Sequence, residues 1–216
     1  MNYFAHGRRF TDEPYFLAGT AVPDWLNVVA RQVKVRSKHA RPFVDHADPK
    51  LAALARGIEQ HHADDRWFHE TRAFAELSWH FTAQIRDGLP ADDGLRPSFL
   101  GHILVELLLD ACLIRQAPAE LDAYYRALAA VDGRWLEAAV GQMATGHPAS
   151  LGDFVPLFIR EQFLWDYLDD GKLCYRLNQV MRRVGLASLP DTFRGLLPEM
   201  RQMVQGRQHP LLSDGS

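Results

Sequence analysis

The chain has 216 residues, 47% of them hydrophobic, with 24 Lys and Arg against 27 Asp and Glu for a formal charge of −3. Apolar content at this level fills a packed core, and near-balanced charge excludes a disordered polyelectrolyte and a general electrostatic grip on nucleic acid or membrane. Two cysteines, Cys112 and Cys174, both in apolar stretches, argue against a disulfide framework and for packing in a reducing cytoplasm.

The opening MNYFAHGRRF lacks the apolar run of a secretory signal, and no run of about 18 uncharged apolar residues follows, so the expectation is a protein neither exported nor inserted in a membrane. Apolar residues recur at helical spacing while period-2 runs of β-branched residues are almost absent, which predicts an all-α fold. The expected architecture is a single-domain helical bundle over residues 1–205, with a frayed tail at 206–216.

In chain order, Thr11 caps a short first helix with Pro14 near its start and Gly19 closing it, and Pro23 opens another turn at Asp24 and Trp25. The basic stretch from Arg31 to Arg41 reads as a solvated loop or helix face, and is the best local place to meet an anion. One long helix is expected from Asp48 and Pro49 to near Gly88, with Leu51, Leu54, Ala55, Ile58, Phe68, Phe74, Leu77, Phe81 and Ile85 on its buried side and Gly57 as a bend. After the loop LPADDGLRP, Ser98 caps a helix to about Gln116 and Pro118 starts the next. Further helices are expected at about 133–144, 154–169, 171–184 and 191–205.

Ten histidines are an excess for this length, and seven of them fall between His39 and His102. Within SFLGHILVELLLDACLI (98–114), a helix apolar on nearly every side, His102, Glu106 and Asp110 stand at i, i+4 and i+8, within roughly 80° of arc. Two carboxylates carried into a core on one stripe repel each other and lose hydration, and a metal cation is the simplest compensation. In GIEQHHADDRWFHE the inward register falls on His61, His62, Asp65, Phe68 and His69, and His61, Asp65 and His69 repeat the same spacing. Two such stripes facing each other bring together up to six donors, with room for two ions, and a mixed imidazole and carboxylate set suits Mn, Fe or Zn. The competing structural reading is a buried ion-pair network. His39, His46, His80, His147 and His209 read as surface or satisfied structural histidines, and locally Asp24 reads as a helix N-cap. Phosphate loops, nucleotide fingerprints, Cys-x-x-Cys pairs and nucleophile elbows are absent from the sequence.

MNYFAH, AGTAVPDWL, GIEQHHADD and VELLLDACL resemble the acyl carrier protein phosphodiesterases, a helical family related to the HD-type metal-dependent phosphohydrolases. The resemblance runs from residue 1 to about 115 and is looser at NQVMRR. It implies that His6 and Asp24 join His61, Asp65, Glu106 and Asp110 as metal ligands, and that the activity is manganese-dependent phosphodiester hydrolysis. His69 replaces a more usual acidic residue, Glu106 a shorter aspartate, and His102 lies outside the motif.

The functional expectation is therefore a metal-dependent phosphodiester hydrolase. His6, Asp24, His61, Asp65, His102, Glu106 and Asp110 are its candidate ligands, and His62 or His69 its general acid. Lys34, Arg36 or Arg182 would steady the phosphate of a small molecule or of acyl carrier protein. A non-enzymatic helical binding module, with the aromatic stretch from Phe154 to Tyr167 lining an apolar pocket, and a zinc phospholipase C or nuclease-like hydrolase are the alternatives.

Overall fold

A computed structural model of the chain describes residues 1–89 and 94–213. Residues 90–93 of the expected loop and 214–216 of the expected tail lie outside the described residues. The chain is all-α: α1 (Tyr3–Gly7), α2 (Pro14–Val29), α3 (Ser37–Ala40), α4 (Pro49–Glu70), α5 (Arg72–Gly88), α6 (Pro97–Gln116), α7 (Pro118–Leu128), α8 (Gly133–Met143), α9 (Leu151–Glu161), α10 (Asp170–Arg183), α11 (Leu197–Gly206) and α12 (Gln208–Leu212). Short 3-10 turns cover Arg41–Phe43, Phe163–Leu168 and Asp191–Leu196, and no strand occurs among the described residues. These helices sort into two compact units whose segments alternate along the chain. One, the α2/α4 unit, comprises Tyr3–Arg66 and Ala117–Phe163; the other, the α5/α6 unit, comprises Met1–Asn2, Trp67–Gln116 and Leu164–Ser216.

In the α2/α4 unit, Pro14 opens α2 as expected, but Gly19 does not close it. Gly19 lies in the helix interior, where a Cβ would come within 2.9 Å of Gly57 Cα on α4, and a Cβ on Gly57 would meet Gly19 Cα at the same distance and abut the Phe16 carbonyl. The pair lets two helix backbones touch, and that contact accounts for both glycines in place of a C-cap and a bend. Pro23 likewise falls within α2, where it removes the N–H that would have bonded the Gly19 carbonyl. Around the crossing, Leu17, Val22, Trp25, Leu54 and Ile58 are fully buried. Tyr124 of α7 and Phe158 of α9 complete that core.

The single long helix expected from 49 to 88 is two, α4 and α5, broken at Thr71. Thr71 takes an extended conformation, its hydroxyl accepting from the Phe74 amide at 3.2 Å and donating to the Phe68 carbonyl at 2.8 Å, so a local side-chain bond replaces the helical ladder and caps α5. In the α5/α6 unit, α6 packs on α5 and α11. Its most apolar window has a mean hydropathy of 1.7, long and apolar enough in composition to cross a membrane, and 61% of that window is buried in the structure. Gly101 brings it onto α5, since a Cβ there would lie 2.7 Å from the Ser78 carbonyl oxygen and 2.9 Å from the Thr82 nitrogen. Pro97 occupies the first helical position of α6, which places Ser98 inside the first turn instead of at the cap. The expected fraying from 206 is replaced over 208–212 by α12, whose Leu211 is fully buried. Both cysteines are free and half-buried.

Candidate metal centres

In the α2/α4 unit, the glycine crossing sets His61, one turn beyond Gly57, against the α2 backbone, where its Nδ1 lies 2.8 Å from the Thr20 carbonyl oxygen. A carbonyl only accepts, so Nδ1 carries the proton and Nε2 points away from it, 3.3 Å from Asp65 Oδ2. His6 reaches the same carboxylate from α1, which packs closely enough that a Cβ on Gly7 would lie 2.6 Å from the Tyr124 ring. Its Nε2 is 3.2 Å from Asp65 Oδ1, its Nδ1 is 3.1 Å from Asp64 Oδ2, and its ring stacks on that of His61 at 4.3 Å. Gln60 donates to the other Asp64 oxygen at 2.6 Å. Both imidazoles are buried, and Asp65 is 31% exposed.

With both rings neutral and Nδ1 donating, two Nε2 lone pairs face two carboxylate oxygens, an acceptor against an acceptor. A proton or a metal ion resolves that conflict. Without an ion the proton takes the place: burial pushes His6 down, but the Asp64 and Asp65 carboxylates outweigh it and raise its pKa from 6.5 to about 9. Asp65 moves the other way, well below the usual carboxylate range, because the two imidazoles overcome the cost of its burial. As ligands, His6, His61 and Asp65 each offer a donor atom, and these all lie within 4.8 Å of one another. Donors about 2.1 Å from one ion sit roughly 3.0–3.4 Å apart, as the two imidazole–carboxylate distances do. Asp64 and the Thr20 carbonyl then act as the outer partners that fix tautomer and ring orientation.

In the α5/α6 unit, His69 and His102 converge on Glu106, with Nε2 to Oε1 distances of 2.9 and 3.3 Å. His102 and Glu106 are one turn apart on α6, and the Met1 amino nitrogen lies 3.5 Å from the same oxygen. The Phe74 ring sits 4.8 Å from the His69 ring and 4.9 Å from that of His102. Burial raises the Glu106 pKa, but the amino terminus, His102 and His69 lower it further, to about 2. Three donor atoms here also lie within 4.8 Å of one another.

Each expected stripe is thus divided. Eight residues advance a helix by about 12 Å, too far for its two ends to share an ion, so His69 does not join His61 and Asp65. For the same reason Asp110 does not join His102: fully buried, it accepts from Asn2 Nδ2 at 2.9 Å, and Asn2 also bonds the Tyr167 hydroxyl. Asp24 is half-buried in the interior of α2, neither at a helix start nor within either cluster. His62 donates from Nε2 to the Val35 carbonyl at 2.8 Å, and burial lowers its pKa, so it braces the basic loop as a neutral ring. Lys34 and Arg36 flank that carbonyl and are exposed, Lys34 bonding Asn27 at 2.7 Å, whereas the exposed Arg182 lies on α10 of the other unit. His39 and His46 accept from the Arg36 and Asp48 amides, structural roles in keeping with the sequence reading. Asp64, Gln60 and Asn2 escaped notice, although Gln60 and Asp64 carry the same four-residue spacing as His61 and Asp65.

No family model, curated protein or solved structure matches the chain.

Proposed function

We propose that this chain is a metal-dependent hydrolase of phosphoric esters on a helical scaffold of the HD-phosphohydrolase kind, working at His6, His61 and Asp65 in the α2/α4 unit. The observation that carries the reading is the convergence of two tautomer-fixed imidazole Nε2 atoms on one carboxylate. Those residues come from MNYFAH and GIEQHHADD, two of the segments that resemble the acyl carrier protein phosphodiesterases. Two nitrogens and an oxygen suit Mn, Fe or Zn better than Mg or Ca. Held by His6, His61 and Asp65, such an ion would supply an acidified water and polarise the phosphoryl oxygens. The protein's own part is orientation: Asp64, braced by Gln60, holds the His6 ring, and Thr20 holds that of His61. His62, next to His61 on α4, bonds the Val35 carbonyl of the Lys34–Arg36 loop, which offers cationic side chains for the phosphate of a small molecule or of an acidic carrier protein.

The test is hydrolysis of bis(4-nitrophenyl) phosphate by the chelator-stripped full chain after addition of Mn, Fe(II) or Zn. The reading expects metal-dependent turnover that falls at least about 100-fold in Asp65→Asn. A folded protein with no metal-dependent turnover on aryl phosphodiesters contradicts it.

A further inference from the structure

We propose that His69, His102 and Glu106 form a second transition-ion site, independent of the first and open to solvent. Two imidazoles and one carboxylate come from two separate helical segments, the last turn of α4 and the middle of α6, and their donor atoms fall within the span of a single ion. Both Nε2 atoms point at the same oxygen of Glu106 and so share one focus. The Gly101 contact fixes the backbone beside His102 against α5, and Phe74 of α5 packs on both imidazole rings, which limits where the rings lie before an ion arrives without fixing their tautomer.

Access separates this cluster from the first. The His69 and His102 side chains are 33% and 47% exposed against 15% for Glu106, so an ion can enter from the imidazole side without opening the core, and three protein donors leave coordination positions for water or an external ligand. The set selects borderline ions such as Zn, Co or Fe(II) over Mg and Ca.

Equilibrium dialysis of the full chain against Zn, with the visible spectrum of Co(II) as a second readout, tests the site. An equivalent of Zn lost in His102→Ala and in Glu106→Gln but retained in His61→Ala is the expected result, with the circular dichroism melt of each variant reporting folding. An equivalent lost only in His61→Ala belongs to the site in the α2/α4 unit and overturns the second one. Wild-type protein that binds no zinc, or binds the same amount after His102→Ala and Glu106→Gln, overturns it as well.

Discussion

In the α2/α4 unit each imidazole of the cluster is anchored through Nδ1, His61 on a carbonyl and His6 on a carboxylate, and both rings are enclosed. In the α5/α6 unit His69 and His102 meet Glu106 through Nε2 alone, and no Nδ1 partner occurs for either among the described residues. The same residue types therefore make two different devices. Anchoring through Nδ1 dictates the tautomer and leaves Nε2 for an ion, whereas an unanchored ring can equally turn an Nε2–H toward the carboxylate. Enclosure of both rings makes the first cluster costly to leave uncompensated; in the second, water reaches the two imidazoles, although Glu106 itself is only 15% exposed.

The largest effect that separates the two is expected from the helix crossing. Gly57→Ala drives a Cβ against α2 backbone, a contact without a flexible side chain to yield. It should cost about 1–3 kcal/mol or more in urea unfolding and should remove the ion near His61 before the ion near His102. Asp64→Asn comes next: without its carboxylate His6 loses its orienting charge, and metal affinity in the α2/α4 unit should fall about 10- to 100-fold by titration, with the other cluster unchanged.

Proton titration distinguishes His6 from Glu106 by sign. In chelator, the His6 pKa is raised above 6.5, so its contribution to stability is complete below pH 6.5 and disappears as pH rises through about 9. The Glu106 pKa is lowered, so its contribution is complete above pH 4.5 and disappears as pH falls toward 2. Tm against pH should then have a shallower alkaline slope in His6→Gln and a shallower acid slope in Glu106→Gln, where Asp65 still contributes on the acid side. The smallest effect is expected for ion-free His102→Ala, whose side chain is half-exposed: a change within about 0.5 kcal/mol.

Helical periodicity was sufficient to read the fold class, the buried face of α4 and the four-residue pairs His61–Asp65 and His102–Glu106. It failed where one residue type serves two physical ends. A glycine can close a helix or admit a neighbouring backbone, and nothing near Gly19 in the sequence discriminates these, because the deciding partner, Gly57, is far along the chain. Thr71 was invisible for another reason: apolar residues keep their register across it, while the break is made by its own hydroxyl. His6 has no local signal, and only the tertiary fold, with the resemblance of MNYFAH, brings it to Asp65. The two units lack a linker because the chain passes between them more than once. The reach of each stripe was overestimated: helix rise, already implicit in the spacing, separates Asp110 from His102 and His69 from His61, so neither stripe acts as a single ligand set.

Crystals of the full chain grown with Mn or Zn and measured at that metal's absorption edge put the central claim to its most direct trial. An anomalous peak about 2.1 Å from the Nε2 atoms of His6 and His61 and from an oxygen of Asp65 is the predicted result. Clear density for direct imidazole–carboxylate hydrogen bonds at that place, with no anomalous signal between them, would contradict it.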